Sequence, residues 1–112
     1  MLKYEFIYDD RFDFEVIRVE DPYGPLTHYF LSDVCGPTCA GDVIRTLQDV
    51  VDGAVPHVSM NGNAWFLEIG PETTRMGDMF ATPPIEFDIP TKTLIALHEA
   101  FRDRKRATQA SR

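Results

Sequence analysis

No run of apolar residues in this chain of 112 approaches the roughly 20 that a membrane-spanning helix needs. The opening segment, MLKYEFIYDD, lacks a basic stretch followed by an apolar one, so no signal peptide is expected. Cysteine occurs twice; with no export signal, the expectation is a reduced, cytoplasmic protein. The 7 glycines stand singly at turns and helix ends. None belongs to GxGxxG or GxxxxGK[ST], which excludes a phosphate-cradling loop of those types. Serine is confined to Ser32, Ser59 and Ser111, and none lies in a GxSxG elbow. His28, His57 and His98 are scattered, without ligand spacing. Cys35 and Cys39 form a single pair, whereas a structural zinc site usually draws on two. Three residues separate them, against the two of the common redox motif. The expectation is therefore reduced, buried thiols, with no metal, no cofactor and no catalytic residue assigned. A nucleophilic Cys35 or Cys39 has nothing in the sequence to support it.

Positive charge is also scarce. Eleven Lys and Arg face 18 Asp and Glu, a net charge of −7. The imbalance is uneven: residues 1–102 carry 7 basic and 17 acidic side chains, and residues 103–112 carry a net +3. Such a body repels nucleic acid, whose binding needs clustered Lys and Arg. An acidic surface serves solubility, and it also steers a cationic protein toward it. The basic residues Arg102, Arg104, Lys105 and Arg106 suit a helix C-terminus, where cations oppose the helix dipole.

What is present is the pattern of one small folded domain. Apolar residues are 44% and charged residues 26% of the chain, near globular averages. One α+β domain is expected over residues 1–105, with a polar basic tail at 106–112. Tyr4, Phe6 and Tyr8, then Phe12, Phe14 and Val16, alternate with more polar neighbours, which predicts a hairpin over 3–9 and 12–20. Residues 26–31, LTHYFL, are rich in strand formers and are read as a third strand. Val43, Ile44, Leu47, Val50 and Val51 lie on one helical stripe, predicting a helix over about 38–53, capped by Thr38 or Asp42 and stopped at Gly53. Strands are expected at 58–60, 64–69, 73–80 and 85–89, separated by Asn61-Gly62-Asn63, Gly70-Pro71-Glu72 and a proline-rich loop. Trp65 falls in the most apolar strand and is placed in the core. Thr91 opens a second helix over about 91–105, with Leu94, Ile95, Leu97, His98 and Phe101 on its stripe. Runs of strands, each followed by one helix, predict a mainly antiparallel sheet of five to six strands covered on one face by two helices.

Asp9, Asp10, Asp13, Glu15, Glu20 and Asp21 place six carboxylates within thirteen positions. Tyr23 sits in the adjoining loop, and Tyr29 and Asp33 follow. Carboxylates at a turn are ordinarily a solvated surface. Together with tyrosines they also make a partner-binding composition, because aromatics anchor and charges orient. These nine residues are the candidate contacts.

The succession YEFIYD, DPYGPLTHYFLSD, an amphipathic helix, NGNAWFLEIGPETTRM and IPTKTLIALHEAF resembles small bacterial immunity proteins, those paired with contact-dependent growth-inhibition toxins. The likeness is one of architecture over residues 3–104, without a catalytic motif. It implies a cytoplasmic inhibitor whose partner is the C-terminal domain of a cognate toxin, a nuclease whose polyanionic substrate an acidic surface can mimic in its basic groove. It implies no enzyme activity, no small-molecule cofactor, and no direct contact with nucleic acid or membrane. The alternative is a small structural or regulatory subunit that acts by oligomerising.

Overall fold

The computed structural model describes residues 2–110. Its elements run β1 (Tyr4–Asp9), β2 (Phe14–Val19), α1 (Leu26–Ser32), α2 (Pro37–Val51), β3 (Val58–Asn61), β4 (Trp65–Ile69), β5 (Thr73–Asp78), β6 (Ile85–Pro90) and α3 (Thr91–Ala110). The chain is α+β, as its pattern of strand runs and helices predicts. The strands do not form one sheet, however: β1 and β2 form a two-stranded sheet, and β3-β4-β5-β6 form a separate four-stranded antiparallel meander.

Residues 26–31 are helical rather than the expected strand, so the first run holds two strands and not three. Pro25 precedes α1 at φ −60° and ψ −18°, already in helical conformation, which is the geometry that proline's ring imposes. Leu26, Tyr29 and Phe30 are the buried residues of α1. Their i, i+3, i+4 spacing makes one apolar stripe. Burial of three large side chains outweighs the modest strand preference of Thr27, Tyr29 and Phe30.

The second helix begins at Pro37, after Gly36 at φ 153°, a positive angle that L side chains rarely adopt. The caps expected at Thr38 and Asp42 are therefore displaced: Thr38 is the second helical residue and Asp42 lies within the helix. Ala40, Val43, Leu47 and Val50 are buried, and Gly53 at φ 80° ends the helix in the left-handed conformation. The third helix outruns its expected end at 105. Residues 106–110 continue it; residues 111 and 112 lie outside the described part of the chain. Twenty residues make a rod of about 30 Å.

One core joins the pieces. In the meander, Trp65, Leu67 and Ile69 of β4 turn inward, with Met76 of β5 and Ile89 of β6 beside them. Leu47 and Val50 of α2 and Leu94, Leu97 and Phe101 of α3 belong to the same cluster. The opposite face of the meander is polar: Arg75 meets Asp88 at 3.1 Å and Glu86 at 3.7 Å, and His57 meets Glu68 at 3.1 Å. Phe66 also lies there, paired with Gly77 across the register. A Cβ at Gly77 would come within 2.6 Å of the Phe66 ring, so glycine makes room for the aromatic.

The buried polar groups are partnered. His98 Nδ1 is 2.8 Å from the Leu94 carbonyl oxygen and Nε2 is 2.8 Å from the Tyr29 hydroxyl. A carbonyl only accepts, so Nδ1 carries the proton; Nε2 then accepts from Tyr29. Thr91 donates to the Gly70 carbonyl at 2.7 Å, which leaves Thr74 as the donor in the 2.8 Å contact between the two threonines. Among the described residues, no buried side-chain nitrogen or oxygen lacks a partner.

Candidate partner-binding hairpin

Two strands alone are marginal in water, so the β1–β2 hairpin depends on what it packs against. Residues opposed in the register share a face. Tyr4 opposes Val19 and Phe6 opposes Ile17; Ile17 and Val19 are buried against the core cluster that includes α1. The end nearer the turn is held by α3. Arg104 donates from Nε and Nη2 to the two carboxylate oxygens of Glu15, at 2.8 and 2.7 Å. Lys105 donates to the Glu15 backbone carbonyl at 2.9 Å. The Arg104 guanidinium holds the Glu15 carboxyl below the usual carboxylate range. Part of the basic C-terminal segment is thus neutralised by the hairpin rather than serving only the helix end.

The turn itself is built by carboxylates. Asp9 accepts from the Arg11 backbone N–H at 2.9 Å and from the Arg11 guanidinium at 2.7 Å, and this hydrogen bonding lowers its pKa. Its carbonyl accepts from the N–H groups of Phe12 and Asp13. Asp13 sits at φ 58°, a left-handed conformation that Asp tolerates better than most residues, and its carboxylate accepts from the Tyr8 hydroxyl. That bond raises the Tyr8 pKa. Asp10, at the apex, is exposed.

Around these acids stand aromatic side chains that the fold does not cover. Tyr8 is 56% exposed, Phe12 46% and Phe14 41%; Tyr4, 44% exposed, lies at the far end of the hairpin, opposite Val19. Phe12 and Phe14 lie with ring centroids 5.6 Å apart. Alternation in the sequence marked Tyr4, Tyr8, Phe12 and Phe14 as strand residues; their exposure escaped that reading. The available signal was arithmetic: a lone hairpin with aromatics at so many positions has too little neighbouring surface to bury them all.

The nine residues named from the sequence divide. Asp9, Asp10 and Asp13 gather at the turn. Glu15 is next to them, half-buried and bound to Arg104. Glu20 and Asp21 are exposed but lie past the far end of β2, about 20 Å away at the usual strand rise. The six carboxylates are therefore two groups, not one patch. Tyr23 is half-buried, its ring 5.9 Å from that of Phe87.

Tyr29 and Asp33 are withdrawn from the surface set. The Tyr29 side chain is 2% exposed, and burial drives its pKa well upward; its hydroxyl is committed to His98. Asp33 accepts from the backbone N–H groups of Ala64 and Trp65, both at 3.0 Å. It ties the end of α1 to the start of β4. A Cβ at Gly62 would fall 2.1 Å from the Asp33 carboxylate, so that turn needs glycine for close approach.

The thiols also differ from expectation. Cys35 is exposed and Cys39 half-buried, both free; burial pushes the Cys39 thiol up. Among the described residues, no cluster of three or more His, Cys, Asp or Glu is placed to hold a metal, and no helix is long and apolar enough to cross a membrane. In comparison with known proteins, no family model, curated sequence or solved structure matches this chain.

Proposed function

We propose that the chain is an immunity protein: a cytoplasmic inhibitor that binds the C-terminal domain of a cognate toxin, a basic nuclease, through the tip of the β1–β2 hairpin. One observation carries the reading. Three aromatic side chains, Tyr8, Phe12 and Phe14, each 41–56% exposed, stand beside three carboxylates at the β1–β2 turn. Aromatics at the centre of an interface supply most of its energy, and charges around them set orientation and encounter rate. A nuclease is basic where it grips its polyanionic substrate, so a net charge of −7 favours approach to that surface. Glu20 and Asp21 add to the long-range field but not to the contact.

The test is co-expression. The C-terminal part of the protein encoded immediately upstream is induced in bacteria with and without this chain. Growth arrest relieved by this chain, with co-purification of the two, supports the reading. Arrest that the chain does not relieve, or no arrest, contradicts it; a stable homodimer formed without any toxin then points to an oligomerising subunit.

A further inference from the structure

Beside the hairpin tip the surface opens into a cleft of about 470 Å³. Its base is apolar: Phe30, Val34 and Phe101 line it, although each is at most 5% exposed. Tyr8, Asp13 and Phe14 of the hairpin form one wall. Lys105 closes the corner between the hairpin and α3, its ammonium 2.9 Å from the Glu15 carbonyl oxygen, 4.8 Å from the Phe14 ring centroid and 5.5 Å from that of Phe101. Cys35 lies at the side where α1 passes into α2.

We propose that this cleft seats one apolar side chain of the toxin domain, presented within a basic segment, as the anchor of the complex. The proposal rests on the toxin-binding reading above and specifies where the partner docks. The argument is complementarity. The apolar surface still open to water there belongs to Tyr8, Phe14 and half-buried Leu31, and it gains from an apolar group that displaces that water. The volume lies within the ~300–1,000 Å³ that holds a drug-sized molecule, so an aromatic or long aliphatic side chain fits with room for its backbone. Asp13 is on the rim, with Asp10 exposed on the same turn, so the residues flanking the anchor are cationic on the hairpin side. The Lys105 ammonium, held against β2 by the Glu15 carbonyl, repels cations from that corner and leaves the turn as their place, which orients the segment. The cleft is continuous with the exposed rings of Tyr8 and Phe14, so one partner surface covers both.

Cys35 supplies the readout. The chain, alone and with a saturating amount of the purified toxin domain, is treated with a small maleimide, and labelling at Cys35 is followed by peptide mass. In parallel, Leu31, half-buried on the cleft wall, is changed to Trp to fill the space. The expected results are at least about tenfold slower labelling of Cys35 in the complex, and at least about tenfold weaker binding by Leu31→Trp, the size of effect typical of an interface hot spot. A complex in which Cys35 reacts at the free rate overturns the docking site and leaves the binding reading standing. Protection of Cys35 with undiminished affinity of Leu31→Trp means coverage without insertion, and overturns the anchor. No complex at all overturns both readings. If Leu31→Trp fails to fold, the smaller filling substitution Leu31→Phe is measured in its place.

Discussion

Glu15 at the start of β2 and Arg104 in the last third of α3 are 89 positions apart in sequence, yet they form a two-pronged ion pair at 2.7 and 2.8 Å. This pair, with Lys105 on the Glu15 carbonyl, fixes the hairpin turn against the end of the helix. The turn carries the exposed aromatics, and the cleft lies between it and α3. The geometry of the proposed binding surface therefore depends on a contact that joins the two ends of the chain.

Breaking that contact should loosen the hairpin without unfolding the core. Arg104→Gln is expected to raise amide-exchange rates in β1 and β2 while the buried amides of β4 and α2 stay protected, since local opening is governed by local contacts. The difference should shrink at high salt, because the pair is partly exposed and screened. Hydrogen exchange read residue by residue checks both statements.

The buried histidine gives a pH dependence of definite sign. Burial lowers the pKa of His98 from 6.5 to about 4, so the unfolded chain takes up a proton more readily than the folded one. Stability is full above about pH 6.5 and falls as pH drops toward 4, by up to about 3 kcal/mol. His98→Gln should flatten that part of the profile, leaving the loss from carboxylates such as Glu15 and Asp9 at lower pH. Urea denaturation between pH 7.5 and 4 measures the two slopes.

Two glycines should respond in opposite directions. At Gly77 a Cβ would lie 2.6 Å from Phe66, 2.8 Å from Glu86 and 2.9 Å from the Ile85 carbonyl. Gly77→Ala is expected to destabilise by about 1–3 kcal/mol through overpacking. Gly41, inside α2, has nothing within 4 Å of such a Cβ, so Gly41→Ala should stabilise by about 0.5–1 kcal/mol through helix propensity. Denaturation midpoints of the two variants compare directly.

The tie between α1 and β4 predicts a further loss. Asp33→Ala leaves the Ala64 and Trp65 N–H groups without their acceptor, and a cost of about 1–3 kcal/mol follows for such partly buried donors. Asp33→Asn, which keeps one acceptor oxygen, should cost less. Thermal melts of the pair separate the two.

These cases show what local sequence conveys. The hairpin, the four later strands and the two long helices were legible because period-2 alternation, 3.6-residue stripes and turn residues such as Asn61-Gly62-Asn63 are local signals. Residues 26–31 were misread because seven residues carry only three stripe positions, and strand-forming side chains at Thr27, Tyr29 and Phe30 masked them. Site residues were legible where the turn itself is the site, at Asp9, Asp10 and Asp13. Tyr29, Asp33 and Arg104 take their roles from partners 69, 31 and 89 positions away, and no local pattern announces such pairings.

Asp10 and Phe12 offer the sharpest test of the binding surface. Asp9 and Asp13 hold the turn through Arg11 and Tyr8, so reversing their charge disturbs the fold as well as the surface; Asp10 at the apex and the 46%-exposed Phe12 ring avoid that. The central measurement is the association and dissociation of the purified upstream-encoded toxin domain with the unaltered chain, Asp10→Lys and Phe12→Ala, at low and high salt. The account predicts slower association for Asp10→Lys, with the difference fading at high salt, and faster dissociation of at least about fivefold for Phe12→Ala, with both variants as stable as the parent. Tight binding that neither substitution alters would contradict it and place the interface elsewhere on the molecule.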